Sequence, residues 1–379
     1  MRSAGILTLG CKVNTYESEY VINKLKENNY EIKSFNDICD VYIINTCTVT
    51  NTSDSKSKKM INNAIKKNPD ACVVAMGCFI EANKDYQIEG LDITIGNKDK
   101  SKIIELLDEY FEKKETINRL YKEEKTTFED MYITDFPGRT RAFVKVQDGC
   151  ENFCSYCIIP FVRGKCRSKE LDKVVKEITD LTNNGYQEVV LTGIHTGNYG
   201  VDLNTNFAKL LKELVKIEKL KRLRISSIEI TELTDEVLEV IKDNKVIVDH
   251  MHIPLQAGSN EILKLMNRKY DLNYFYNKIK EIRSIRPEIS ITTDVIVGFP
   301  GETEELFQKT IKTCKELEKN YFNKHIGKEV EVLIEETKDG YSYGHTGNYL
   351  YVKINKELEH NTFVQVKVTK IDYPYCLAE

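Results

Sequence analysis

The 379 residues carry 55 basic and 59 acidic side chains, a net charge of −4, and 41% of them are hydrophobic. That apolar share supports folded cores and excludes a disordered or collagen-like chain, while the charge balance excludes a globally basic nucleic-acid binder. At roughly 150 residues per domain the length predicts two or three domains.

The first apolar run, after Met1-Arg2-Ser3-Ala4, leads into Gly10-Cys11-Lys12 and reads as a strand with its exit loop rather than an export signal. No apolar run nears the roughly eighteen residues of a spanning helix. A cytoplasmic protein with no membrane partner is expected. Up to about residue 115, apolar runs at 6–9, 41–44 and 72–76 alternate with helical stretches at 17–28, 57–67 and 100–113. Continuous apolar strands between helices predict a parallel sheet of βα units. A charged, aromatic-poor stretch, 113–125, reads as a linker helix or loop.

A second alternation follows. Strands are expected at 142–146, 188–191, 223–228, 250–255 and 289–297. Helices are expected at 171–183, 207–217, 235–242, 260–266, 272–285 and 303–319. Five strands with helices between them predict a βα barrel or an open part of one. Beyond 324, runs at 330–334, 349–354 and 363–371 alternate apolar and polar residues, with Gly340, Gly344 and Gly347 between the first two. That is the pattern of a small antiparallel β barrel. The expected class is therefore α/β: a parallel βα domain over 1–115, a linker over 116–135, a partial βα-barrel core over 136–322 and the small barrel over 323–379.

By segment the net charge is −2 for 1–115, +1 for 116–324 and −3 for 325–379, so RNA contacts would need local basic patches. One such patch is Lys56, Lys58, Lys59, Lys66 and Lys67. Another is Arg139, Arg141, Lys145, Arg163, Lys165, Arg167 and Lys169.

The second patch surrounds the strongest motif. Of eleven cysteines, Cys150, Cys154 and Cys157 form a C-x3-C-x2-C triplet just after the first barrel strand. Barrels build sites at the C-terminal ends of their strands. Three thiolates on one tight loop hold three irons of a four-iron cluster and leave the fourth open. Structural zinc needs a fourth ligand, and no nearby histidine supplies one. A second triplet is dispersed: Cys11, Cys47 and Cys78 each follow an apolar strand run, at intervals of 36 and 31 residues. Equivalent strand ends of a parallel sheet converge on its ligand edge, so these thiolates are candidates for a second cluster. Cys39, Cys72, Cys314 and Cys376 read as structural, and Cys166 is left open because it lies in the basic loop.

These motifs resemble the radical S-adenosylmethionine (SAM) methylthiotransferases. The resemblance rests on 9–19 around Gly10-Cys11-Lys12-Val13-Asn14, on 147–160 around Gln147-Asp148-Gly149-Cys150, and on Thr192-Gly193-Ile194-His195-Thr196-Gly197. It rests further on His252-Ile253-Pro254-Leu255-Gln256 and Met266-Asn267-Arg268-Lys269-Tyr270. Within the family the sequence is most similar to bacterial enzymes acting on N6-threonylcarbamoyladenosine in tRNA. The resemblance implies an N-terminal methylthiotransferase domain, a radical SAM core and a C-terminal TRAM domain. It implies two 4Fe-4S clusters, the radical SAM cluster on Cys150, Cys154 and Cys157 and an auxiliary cluster on Cys11, Cys47 and Cys78. The first would cleave SAM to a radical that abstracts hydrogen at C2 of the adenine ring, the second would present the sulfur, and a second SAM would supply the methyl group.

It also implies SAM contacts at Thr192, Gly193, His195, Ser227, Glu229, Gln256, Ser259, Gly298 and Pro300, and RNA contacts at Arg139, Arg141, Arg163, Lys165 and Arg167. Phe153, Tyr156 and Phe161 are expected to shield the cluster rather than to stack on bases. The implied partners are a tRNA anticodon stem-loop and an electron donor such as flavodoxin or ferredoxin, with the protein a monomer. Alternatives within the class are isopentenyladenosine in tRNA or a ribosomal-protein aspartate; outside it, a non-catalytic iron–sulfur or RNA-binding homologue. A cobalamin-dependent enzyme would carry Asp-x-His-x-x-Gly, and residues 1–115 contain no histidine. One departure from the family stands out: after the fifth strand and its helix the chain runs almost directly into the barrel, so a sixth βα unit is expected to be missing.

Overall fold

The computed structural model describes residues 1–85, 88–120, 127–136, 141–346, 348, 350–360 and 362–379. They form two compact units, Met1–Val248 and Asp249–Glu379.

The first unit opens with β1 (Ser3–Thr8), α1 (Lys12–Glu27), β2 (Glu31–Lys33), β3 (Val41–Thr46), α2 (Asn51–Lys67) and β4 (Cys72–Gly77). It continues with α3 (Cys78–Ala82), β5 (Ile93–Ile95), α4 (Ile103–Lys113) and β6 (Ile117–Arg119). The six strands form one parallel sheet in the order β2-β1-β3-β4-β5-β6. The central strands β3 and β4 are buried throughout, which is why they read as unbroken apolar runs instead of alternating ones. β6 lies within the stretch expected as linker and pairs with β5. The helix expected from 17 begins five residues earlier, at Lys12. Its first turns bury Asn14, Glu17 and Ser18 along with Val13 and Tyr16, and a buried polar face gives no apolar periodicity to read.

The same unit then forms β7 (Arg141–Asp148), α5 (Ile159–Arg163), β8 (Arg167–Ser168), α6 (Leu171–Asn183), β9 (Glu188–Gly193), α7 (Phe207–Leu214), β10 (Arg222–Ile225) and α8 (Asp235–Asp243). β7, β9 and β10 are parallel neighbours, and the two-residue β8 adds antiparallel to β7.

The second unit holds β11 (His250–His252), α9 (Asn260–Leu265), α10 (Leu272–Ile285), β12 (Ser290–Thr292) and α11 (Glu304–Asn323). β11 and β12 are parallel. The chain ends with β13 (Glu329–Lys338), β14 (Tyr341–Thr346), β15 (Tyr351–Ile354), β16 (Phe363–Asp372) and β17 (Tyr375–Ala378), a closed barrel in the order β13-β14-β15-β17-β16. Its pairs are antiparallel except β15 with β17. α11 leads into β13 within a few residues, and β13 pairs with β14 and β16 of the barrel. Among the described residues no sixth βα unit follows β12. Among the described residues no helix is long and apolar enough to cross a membrane.

Candidate functional site

The middle of the N-terminal sheet places three cysteines side by side. β1, β3 and β4 are neighbours whose ends are level: Thr8 is opposite Asn45, and Thr46 is opposite Gly77. Cys11, Cys47 and Cys78 follow those ends. Gly10, at φ +97°, turns the chain so closely that a Cβ there would lie 2.9 Å from the Cys47 sulfur. Gly77, at φ +100°, would bring a Cβ within 2.7 Å of Asn45 Oδ1. Only glycine takes both the left-handed φ and the close approach without strain. Cys11 is the N-cap residue of α1 and Cys78 is the first residue of α3. Cys11 is exposed, and Cys47 and Cys78 are buried. Burial pushes the Cys47 thiol up, and the neighbouring Cys78 and Cys11 thiols push it further.

The second triplet sits on the loop after β7. Gly149, at φ +77°, has no room for a side chain: a Cβ would meet the Lys165 carbonyl oxygen at 1.9 Å. The loop closes there, the Cys150 amide donating to the Gly164 carbonyl at 3.0 Å, and the Cys157 amide donates to the Cys154 carbonyl at 2.9 Å. All three cysteines are partly exposed. Buried Gln147 holds the loop's entry: its amide group donates to the carbonyls of Asp148 (2.9 Å) and Gly149 (2.7 Å), and its Oε1 accepts from the His195 amide at 2.7 Å.

His195 is buried, with Nδ1 3.7 Å from the Cys150 sulfur and 2.9 Å from Asn198 Nδ2, and its Nε2 pairs with Glu232. Burial alone would lower its pKa, but the Cys150 and Cys166 thiols and Glu232 raise it to about 12. Cys166 is buried at this corner, 3.8 Å from the Gly149 carbonyl.

A buried polar network joins the two triplets. Glu17 of α1 accepts from Lys100, from Lys145 at 2.8 Å and from Arg163 Nη1 at 3.1 Å. Asp148 accepts from the same Lys145 at 2.8 Å and Arg163 at 3.1 Å. Arg163 Nη2 donates to Asn14 Oδ1 at 2.8 Å, and Asn14 donates in turn to the Leu9 and Thr46 carbonyls, beside Cys11 and Cys47. Asn97 Nδ2 lies 3.4 Å from the Cys78 sulfur and 3.0 Å from the Val162 carbonyl of α5. Glu17, whose burial would raise its pKa, is held well below the ordinary range by Arg163, Lys100 and Lys145.

This network corrects the basic rim. Arg163 and Arg167, expected to touch RNA, are 1% and 2% exposed, and Lys145 and Lys169 are buried with them. Their charges are spent on Glu17, Asp148 and Glu177. Arg141 and Lys165 remain at the surface, and Arg139 lies outside the described residues. Phe153, Tyr156 and Phe161, expected to shield the cluster, are 52%, 37% and 75% exposed.

The other expected SAM contacts fall in both units. Thr192 is buried, and Gly193 passes against Gln147, where a Cβ would stand 3.1 Å from Oε1. Ser227 is exposed, and Glu229 forms a reciprocal cap with Glu232. In the second unit Gln256 has φ +68° and bridges to Val295, while Ser259 is buried as the N-cap of α9. Gly298, at φ +70°, and Pro300 are exposed, and a Cβ at Gly298 would meet no protein atom within 4 Å. Asn14, Glu17, Asn97, Lys100 and Asn198 carried no role in the sequence reading. The available signal was a cluster of polar residues at the start of α1, beside Cys11.

Among the described residues no three His, Cys, Asp or Glu side chains are set to share one metal ion. A four-iron cluster makes a different demand, since each thiolate takes its own iron. The donor sets fit that demand: both triplets are free thiols, and Arg163 Nε, buried in the network between them, has no hydrogen-bond partner among the described residues.

Residues 144–314 match the radical SAM superfamily and residues 3–96 match the uncharacterized protein family UPF0004. The chain is 39% identical to the threonylcarbamoyladenosine tRNA methylthiotransferase MtaB of Bacillus subtilis, over 99% of this chain and 95% of that protein. The protein of the same name from Aquifex aeolicus is 41% identical, over 83% of this chain and 78% of its own length. The tRNA-2-methylthio-N(6)-dimethylallyladenosine synthase of Carboxydothermus hydrogenoformans is 36% identical, over 83% and 74%. The Bacillus alignment runs to 431 positions, longer than the 379 residues of this chain, so that relative carries residues this chain lacks. In structure the chain is similar to the radical SAM methyltransferase TsrM of Kitasatospora setae, with a TM-score of 0.61 at 13% identity, covering 84% of this chain and 71% of that one. The cobalamin-dependent radical SAM enzyme OxsB gives 0.56 at 10%, covering 82% and 52%. At these identities the likeness is one of fold alone.

Proposed function

Because the chain belongs to the radical SAM methylthiotransferase family, we propose that it inserts sulfur and a methyl group at C2 of N6-threonylcarbamoyladenosine, next to the anticodon of a tRNA. The observation that carries this reading is the pair of free-cysteine triplets, Cys11, Cys47 and Cys78 with Cys150, Cys154 and Cys157, held in one compact unit. Cys150, Cys154 and Cys157 would hold a four-iron cluster that with SAM would supply a carbon radical, and Cys11, Cys47 and Cys78 would hold an auxiliary cluster that would supply sulfur.

The chain's own residues set the stage for that chemistry. Gln147 fixes where the Cys150 loop leaves β7, and through the His195 amide it fixes the next βα loop in the same frame. His195, with Nδ1 3.7 Å from the Cys150 sulfur and Nε2 paired with Glu232, ties the edge of that loop to the Cys150 loop. Glu17, Asp148 and Arg163 keep α1 and the Cys150 loop in fixed relation. Positioning of this kind lowers barriers by pre-paying orientation.

The threonylcarbamoyl substrate is supported by relatives named for that activity at 39% and 41% identity, with a relative named for dimethylallyladenosine at 36%. Mass spectrometry of tRNA nucleosides from cells with and without the gene tests it. Loss of the methylthio form of threonylcarbamoyladenosine is expected; its persistence while another methylthio nucleoside vanishes sinks the assignment.

That no further βα unit follows β12 among the described residues favours one second reading, a non-catalytic iron–sulfur homologue. Anaerobic reconstitution separates the two, since only the enzyme cleaves SAM when reduced with dithionite.

A further inference from the structure

Arg163 stands six residues beyond Cys157, yet besides Asp148 its hydrogen-bond partners are Glu17 and Asn14 of α1, the helix that begins beside Cys11. Its Nη1 is divided between Glu17 and Asp148, at 3.1 Å each, and its Nη2 is taken by Asn14 at 2.8 Å. Nε remains: buried, and without a hydrogen-bond partner among the described residues. A buried N–H with no acceptor forfeits its hydration for nothing, and native structures rarely keep one unless an absent group completes it.

The surroundings point to which group that is. Asn14, which holds Nη2, bonds the carbonyls of Leu9 and Thr46, the residues flanking the turns to Cys11 and Cys47. α3, which begins at Cys78, packs against α5, and Asn97 ties the Cys78 sulfur to the carbonyl of Val162, the residue before Arg163.

We infer that Arg163 is a positioning residue of the auxiliary site: its Nε–H completes a hydrogen bond to a sulfur of the cluster held by Cys11, Cys47 and Cys78, and its fixed positive charge offsets that cluster's negative charge. This rests on the reading of those three cysteines as an iron–sulfur site. A guanidinium stays charged at any working pH and presents its donors in a rigid fork, whereas a lysine in its place keeps the charge and loses the fork. Because Arg163 is carried on the helix that follows the Cys150–Cys157 loop, it also makes the auxiliary cluster sensitive to that loop. Hydrogen bonds to the sulfurs and local net charge are the levers that set such a cluster's reduction potential.

The test uses the full-length chain with Cys150, Cys154 and Cys157 replaced by alanine, so that only the auxiliary site loads. In a redox titration followed by electron paramagnetic resonance, Arg163→Gln should shift the midpoint to a more negative potential, and Arg163→Lys should recover part of that shift. An independent measurement needs no variant: protein grown with 15N-arginine should show a nitrogen coupling to the reduced cluster in electron-nuclear double resonance. A loaded cluster with no arginine coupling, or with a midpoint unmoved in Arg163→Gln, overturns the inference while leaving the auxiliary site intact. A chain that takes up no iron at all overturns the auxiliary site and the inference together. Should Arg163→Gln fail to fold, the isotope measurement on the parent still decides.

Discussion

The Glu17 carboxylate and the Arg163 guanidinium meet at 3.1 Å, 146 residues apart in sequence and fully buried. Glu17 belongs to the first helix of the N-terminal sheet and Arg163 to the helix after the Cys150 loop, so this pair couples the two cysteine triplets mechanically.

Replacing the carboxylate tests how much rests on it. Glu17→Gln leaves Lys100, Lys145 and Arg163 buried around a neutral amide, and breaking a buried pair on one side costs about 3–5 kcal/mol. The sign with pH follows from Arg163, Lys100 and Lys145 holding the Glu17 pKa well below the ordinary range against the opposing effect of burial. A depressed carboxylate gives its full stabilisation above the unfolded value, about 4.3, and loses it as pH falls toward the folded value. Urea melts from neutral to acid should show the parent losing stability below that point, and the Glu17→Gln chain losing less. Parallel loss in both chains would remove Glu17 as the acid-labile element.

The two triplets make separable predictions. Replacing Cys150, Cys154 and Cys157 with alanine should halve the iron and sulfide found per chain after anaerobic reconstitution, and abolish SAM cleavage. Replacing Cys11, Cys47 and Cys78 should halve the iron as well, but leave SAM cleavage intact while methylthio product disappears. Equal loss of SAM cleavage in both sets contradicts this division of labour.

Gly149 and Gly185 offer a matched pair, both in the left-handed region at φ +77° and +98°. A Cβ at Gly185 meets nothing within 4 Å, so Gly185→Ala should cost only the left-handed penalty, about 1–2 kcal/mol. At Gly149 the same atom would stand 1.9 Å from the Lys165 carbonyl oxygen, which is backbone. Gly149→Ala should therefore add the displacement of the 164–165 segment, take the total beyond about 3 kcal/mol, and halve iron uptake by spoiling the Cys150 loop. Thermal melts and iron assays of the two variants check the contrast.

These cases show what sequence makes legible. The three strand ends and their cysteines stood out because β1, β3 and β4 are apolar runs followed by Gly10-Cys11, Thr46-Cys47 and Gly77-Cys78, and parallel topology brings successive strand ends to one edge. The C-x3-C-x2-C loop was legible because its three residues are close in sequence. Arg163 and Arg167 misled because a basic run looks the same whether solvated or paired; the acids that neutralise them include Glu17, far away in sequence, and Asp148, fifteen residues before Arg163. Which way an aromatic near a cluster motif faces is not written in sequence either, and Phe161 is 75% exposed. Asn97 was invisible, because a lone asparagine has no pattern and its partners, Cys78 and Val162, meet it only in three dimensions.

The small barrel permits a prediction about RNA. On β14, β15 and β17 alternate residues point inward, with Ser342, Val352, Ile354, Cys376 and Ala378 buried. The intervening Tyr343, His345, Tyr351 and Tyr375 make a continuous aromatic face. His345 and Tyr351 stack at 4.5 Å, Tyr351 and Tyr375 lie at 4.9 Å, and Lys353 sits 4.0 Å over the Tyr341 ring. Residues 325–379 carry a net charge of −3, so stacking rather than counterion release must dominate any hold this face has on RNA. Base–aromatic stacking is worth about 1–3 kcal/mol per base, so Tyr351→Ala should weaken tRNA binding about tenfold, and the ratio of variant to parent affinity should hold as salt rises. Lys353→Ala should instead act mainly at low salt, reducing the salt slope by about one where its ammonium reaches a phosphate. Filter binding of unmodified tRNA across a salt series separates the two. Unchanged affinity in Tyr351→Ala, with the barrel still folded, would assign RNA binding elsewhere.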